Sequence, residues 1–173
     1  LWTGAVANAG QYNGFEALFT ADATVIDVVG IAPVAATVQA EMRKVTDAIP
    51  QAIYGSEDLK LFVAPNVWRA YVSSLALAGG GNGFEQKGSN QGFDSLQFEG
   101  VTLFLAHGLT ANNMVAAQSS NLFFGTGLMS DQNEVSVLDM AQLDGSQNVR
   151  FIMRYTAAVN YAYGAEIVYY KSV

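Results

Sequence analysis

From Val149 to Tyr163 apolar residues fall on every second position. Val149, Phe151, Met153, Tyr155, Ala157, Val159, Tyr161 and Tyr163 share one face, and Arg150, Arg154, Thr156 and Asn160 the other. A period of 2 over this length predicts one strand of roughly 50 Å, at about 3.3 Å per residue. Strands usually run to about 5–6 residues, so the pattern points to an extended ribbon. Shorter strands are predicted at Thr24–Val29, Leu59–Val63, Met114–Phe124, Val135–Leu138 and Ile167–Tyr170. Leu96 and Phe98 alternate on one phase, and Val101, Leu103 and Leu105 on the other. The slip predicts a bulge or tight bend at Gly100.

Two segments carry the helical period instead. Val38, Met42, Val45 and Ile49 form one stripe, with Thr37 as cap and Pro50 as stop. Gln39, Glu41, Arg43, Lys44 and Asp47 fill the solvated face. A second helix is predicted from Val67 to Leu77, capped by Asn66, with Val67/Trp68, Tyr71/Val72 and Leu75 inward. Helices near 37–49 and 66–77 among strands predict an α+β fold with helices flanking a sheet. Between them and the later strands lies Gly79–Gly92, six glycines in fourteen residues. A loop of that length in a compact domain is usually functional or mobile.

Composition sharpens this picture. Of 173 residues, 51% are apolar and 13% charged, against about 25% charged in ordinary soluble chains. One domain of this size, or one and a half closely packed lobes, buries a large core. It lacks the charge to solvate its whole surface, so much of that surface is expected to lie against partners. The net charge of −7 argues against wrapping nucleic acid, which draws on Lys and Arg, and no basic stripe interleaved with aromatics is present. No apolar run reaches the ~18 residues of a transmembrane helix, and no signal peptide is evident. A start at Leu1 rather than Met predicts a fragment or a processed product.

The chemical inventory is poor. There is one histidine, His107, and no cysteine. Gly83–Ser89 approaches a phosphate loop, but Lys87 precedes Gly88 and the segment follows a helix, the wrong context. No Gly-x-Ser-x-Gly elbow exists to make His107 part of a triad, so it reads as structural. Asp131, Glu134, Asp139 and Asp144 lack calcium-loop spacing and read as solvated acids. Residues 88–149 carry no Lys or Arg, while Arg150 and Arg154 follow at once on one strand face. Those two cations require acids across the sheet or on a neighbouring subunit. No enzyme activity, catalytic metal or cofactor is expected.

The order of elements from Asp58 onward resembles the major capsid protein of tailed bacteriophages, the Hong Kong 97 fold. The residues that carry the likeness are Leu61-Phe62-Val63-Ala64-Pro65-Asn66-Val67-Trp68-Arg69-Ala70-Tyr71, then Phe98–Leu105, then Met114–Ala117 with Asn121–Gly125. Val149–Ala162 followed by Gly164–Val168 completes it. The resemblance covers about 130 residues and implies an axial-domain sheet flanked by helices, plus a long peripheral-domain strand. It implies residues 1–34 as the end of a spine and a crossing, and 35–134 as the axial domain. Residues 135–163 would be peripheral strands, and 164–173 a returning axial strand. The family's N-terminal arm and extended loop are not visible. The implied function is a virion shell subunit forming pentamers and hexamers around DNA, with scaffold and portal proteins as further partners. Contacts between subunits are expected at Phe84 and Lys87, in a loop near the capsomer centre, and at Arg150 and Arg154. No membrane and no specific nucleic-acid sequence is implied as partner. An encapsulin-type nanocompartment shares the fold. A carbohydrate- or ligand-binding module, stacking on Tyr155, Tyr161, Tyr163, Tyr169 and Tyr170, is the alternative from another class.

Overall fold

In the computed structural model the described residues are 1–4, 12–77, 96–127, 135–140, 145, 147–153 and 156–173. The glycine-rich segment 79–92 lies outside them. The helical stripes become α2 (Val38–Asp47) and α3 (Pro65–Leu77), preceded by α1 (Phe15–Ala21) and β1 (Ile26–Gly30). The remaining strands are β2 (Leu59–Val63), β3 (Gln97–Phe98), β4 (Val101–Leu105), β5 (Met114–Gln118), β6 (Leu122–Thr126), β7 (Val135–Asp139), β8 (Val149–Met153), β9 (Ala157–Tyr161) and β10 (Val168–Ser172). The α+β expectation holds.

A six-stranded sheet runs in the order β1-β10-β5-β2-β4-β3. β1 lies parallel to β10 and β2 parallel to β4, and the other neighbours are antiparallel. Successive strand residues face opposite sides, and Tyr169 and Tyr170 use both. The Tyr170 hydroxyl donates to Glu41 on α2, at 2.6 Å. Tyr169 sets its ring at a tilt of 55° against Phe19 of α1. Helices α2 and α3 therefore cover one face, and α1 with Trp2 covers the other, where Trp2 meets Phe15 and Phe62. Phe19, Met42, Leu61, Leu103, Met114, Ile167 and Tyr170 are fully buried in this core. Buried Glu16 fastens α1, accepting from the Thr110 amide, the Thr110 hydroxyl and the Asn113 side chain at 3.1, 2.6 and 3.1 Å.

The phase slip at Gly100 is a two-residue hairpin turn. Phe98 pairs with Val101, and Glu99 and Gly100 between them have φ of 47° and 84°. Positive φ at both central positions is the turn that matches strand twist. Glu99 tolerates it because Arg43, Thr46 and Tyr54 hold it: Arg43 Nε donates to Oε1 at 2.8 Å, Thr46 Oγ1 to Oε2 at 2.6 Å, and the Tyr54 hydroxyl to the backbone carbonyl at 2.8 Å.

Three expectations are corrected. Helix α3 opens on Pro65, not after an Asn66 cap, since proline's missing N–H costs nothing in a first turn. Asn66 is spent on Asn112 instead, donating to its side chain and accepting from its backbone amide. Thr37 occupies the cap position of α2 without capping it, accepting instead from the Val34 amide at 3.3 Å. The 15-residue strand is two strands, β8 and β9, with different partners: β8 pairs with β7 and β9 with β6. Eight residues separate β6 from β7 along the chain and three separate β8 from β9, so the two ladders do not share one register.

Candidate assembly surface

The segment from β6 to β9 forms two successive antiparallel ladders that leave the six-stranded sheet. In the distal ladder Val135 pairs with Met153, Val137 with Phe151, and Asp139 with Val149. Paired residues share a face, so five apolar side chains lie on one side of a two-stranded sheet. All are exposed: Phe151 at 71%, Val137 and Met153 at 57%, Val135 at 55% and Val149 at 53%. The opposite side pairs Ser136 with Ile152 and Leu138 with Arg150. A lone two-stranded hairpin is marginal in water, and an uncovered apolar face of this kind marks an interaction site. Nearer the sheet, Phe123 and Phe124 on β6 are also exposed, at 51% and 56%. The apolar alternation thus marks a face left open among the described residues.

Arg150 stands exposed on β8, opposite Leu138. Arg154, Phe84 and Lys87 lie outside the described residues, as do the phosphate-loop-like segment and Asp131, Glu134 and Asp144. His107 is exposed in the turn after β4. Among the described residues no three His, Cys, Asp or Glu side chains gather to hold a metal, and no helix is long and apolar enough to cross a membrane. Tyr169 and Tyr170 face the core and offer no stacking platform. Tyr161 is half-buried, and Tyr163 is exposed.

The root of the ribbon is built from polar side chains that no periodicity announces. The Asp58 carbonyl and carboxylate accept from the Ser119 and Ser120 amides where the outgoing strand begins. Buried Asn121 grips the returning strand: its Oδ1 accepts from the Ala162 and Tyr163 amides at 3.0 and 2.8 Å, and its Nδ2 donates to the Tyr163 carbonyl at 2.9 Å. The Tyr161 hydroxyl donates to Asp22 at 2.6 Å. The other oxygen of Asp22 accepts from the Thr24 amide and hydroxyl, both at 2.8 Å. Gly164 completes the fit, since a Cβ there would lie 2.2 Å from the Thr24 hydroxyl oxygen. Such short polar residues read as loop in a sequence, and their partners are distant along the chain.

These bonds set a pH window. The Tyr161 hydroxyl holds the Asp22 carboxyl below its ordinary 3.8, and the Ser120 hydrogen bonds do the same for Asp58. Burial favours a raised value for Glu41, but the bonds from Tyr170 and Lys44 outweigh it and lower it. Burial, then the bond to Asp22, pushes Tyr161 up to about 12. Tyr169 and Tyr170 move the same way, first through burial. A depressed carboxylate contributes stability above its unfolded value and loses it as pH falls through the folded one. A raised tyrosine contributes below pH 10 and loses it as pH climbs towards its folded value. Denaturant midpoints measured against pH are expected to hold level from about 5 to about 10 and to fall on both sides. A midpoint unchanged at pH 3 would contradict the acid arm.

No protein-family model matches the sequence, and no curated protein matches it. The fold is similar to that of a solved structure from Mycobacterium phage Che8, with a TM-score of 0.56 and 12% identity over 86% of this chain and 53% of that one. A virus-like particle from Pyrococcus furiosus aligns with a TM-score of 0.48 and 10% identity, over 89% of this chain and 57% of its own. The chain spans a little over half the length of each. The resemblance to a phage protein read from the sequence is met at the level of the fold.

Proposed function

We propose that the chain is a structural subunit of a phage capsid shell, without enzymatic activity, that packs with copies of itself into pentamers and hexamers around DNA. The observation that carries this reading is the open apolar face of the distal ribbon, Val135, Val137, Val149, Phe151 and Met153. A second copy is the occupant that fits it. All eight Lys and Arg lie outside residues 88–149, a run with acids only, so the acidic segment of one copy complements the cations of the next. In this reading Arg150 and Arg154 contact acids of a neighbour, and Phe84 and Lys87 stand near the ring centre. Residues 35–134 and 164–173 make the axial domain, 135–163 the peripheral strands, and 1–34 the crossing. Scaffold and portal proteins are the further partners, and the virion is the place of action.

The test is electron microscopy of the full chain expressed alone. Closed particles of one diameter, with fivefold and sixfold rings of density, are expected. A strictly monomeric protein at high concentration, with no particles in any salt or pH, would overturn the reading.

A further inference from the structure

Asn121, Asp22 and Tyr161 stand where the ribbon joins the body, and the core does not need their polar groups to fill space. The Tyr161 ring packs on Phe19, with centroids 5.4 Å apart, and that contact survives without the hydroxyl. What the hydroxyl adds is a directed bond from β9 to the end of α1. Asn121 adds three more, and its own carbonyl accepts from the Ala162 amide at 3.2 Å. Asp58 fixes the strand that leaves. Both strands of the ribbon are therefore tied at their base, one to the β2 side of the sheet and one to α1. A two-stranded ribbon attached by two covalent crossings alone would rotate about its root. Asn121 is buried, and Asp22 and Tyr161 are half-buried; a connected set of directed bonds at one place favours one geometry.

We infer that Asn121 and the Asp22–Tyr161 pair are positioning residues that fix the direction of the ribbon relative to the six-stranded sheet. Resting on the shell-subunit reading, this makes them the residues that set the angle between neighbouring copies, and with it the curvature of the shell. A change of a few degrees at the root is multiplied along the ribbon, so a loosened root yields particles of mixed size while each subunit remains folded.

The absence of cysteine allows clean spin labelling through Ala158→Cys on β9 and Ser73→Cys on α3, both exposed. The isolated full chain is expected to give one narrow inter-label distance. In Tyr161→Phe and Asn121→Ala the distribution is expected to broaden about twofold, because a junction with fewer bonds samples more orientations. In assembled material the same variants are expected to lose uniform diameter. Ser74→Ala, which removes another buried hydroxyl far from the root, is expected to change neither readout. Distances that stay narrow in both root variants, or that broaden equally in Ser74→Ala, overturn the inference whether or not shells form. Broadened distances in a protein that never assembles leave the clamp standing and overturn the shell reading instead.

Discussion

Phe19→Ala is expected to lower unfolding free energy by about 3–5 kcal/mol, the usual cost of emptying a fully buried aromatic site. Phe19 is 0% exposed and stands among three rings: Phe15 at 5.8 Å, Tyr161 at 5.4 Å and Tyr169 at 5.8 Å between centroids. Its helix has seven residues, too few to persist in water without packing. Removing the ring therefore takes away both local volume and the anchor that seats α1 against β9 and β10. The deletion leaves a cavity that Tyr161 and Tyr169, fixed in strands, cannot close, which places the cost in the upper part of the range. Urea unfolding should show a lower midpoint with an unchanged slope. Phe19→Leu, which keeps most of the volume, should cost much less. A shift under 1 kcal/mol for Phe19→Ala would mean that α1 contributes little to the folded state, contrary to the packing described.

The second large effect concerns association rather than folding. Phe151→Asp is expected to raise the concentration at which copies associate about a hundredfold, equivalent to about 2.8 kcal/mol at 1.4 kcal/mol per tenfold. The side chain is 71% exposed in the subunit, so the monomer loses little, within about 0.5 kcal/mol. In an assembled shell the same position would bury a carboxylate against Val137 and whatever covers it, and an unpaired charge in such a place is costly. Phe151→Ser should act in the same direction but less strongly. Sedimentation velocity over a concentration series measures both, with a denaturation curve on each variant as control. Unchanged assembly by Phe151→Asp would remove the distal ribbon face from the interface.

Much of the sheet was legible because burial imposes a period. Val38, Met42 and Val45 had one inward face to fill, and the period of α2 followed. Leu61 and Val63 face the helices, while Phe62 faces Trp2, so the apolar positions of 59–63, buried on both sides, read as a strand despite Lys60. The turn at Gly100 was legible because a change of phase is a geometric event. The division of 149–163 was not. Alternation records which side chains share a face, but not where the partner strand changes, and that depends on the unequal lengths of chain between β6 and β7 and between β8 and β9. Helix α1 left a faint trace, Phe15 and Phe19 four apart, that was lost among alanines and glycines. The root was illegible for another reason. Asp22, Asp58 and Asn121 act through a few directed bonds to partners up to 139 residues away, and no local pattern encodes such a meeting. The same holds for the proposed assembly face: apolar alternation is identical whether the chain itself or another copy provides the cover.

The place of β10 in the sheet has a consequence for how the chain matures. Among the described residues β1, the first strand of this sequence, pairs with β10 alone, which follows every other described strand, and β10 in turn joins β1 to β5. Until β10 is synthesised, β1 has both edges open, and Val29 within it is exposed. Contacts between such distant parts of a chain form slowly. The sheet therefore closes as a late event, after the ribbon between β5 and β10 has already been made. A ribosome-bound intermediate would hold a finished β2–β4–β5 centre, an unpaired β1, and an apolar hairpin seeking cover. Such a species has every reason to meet a chaperone before it meets another copy of itself.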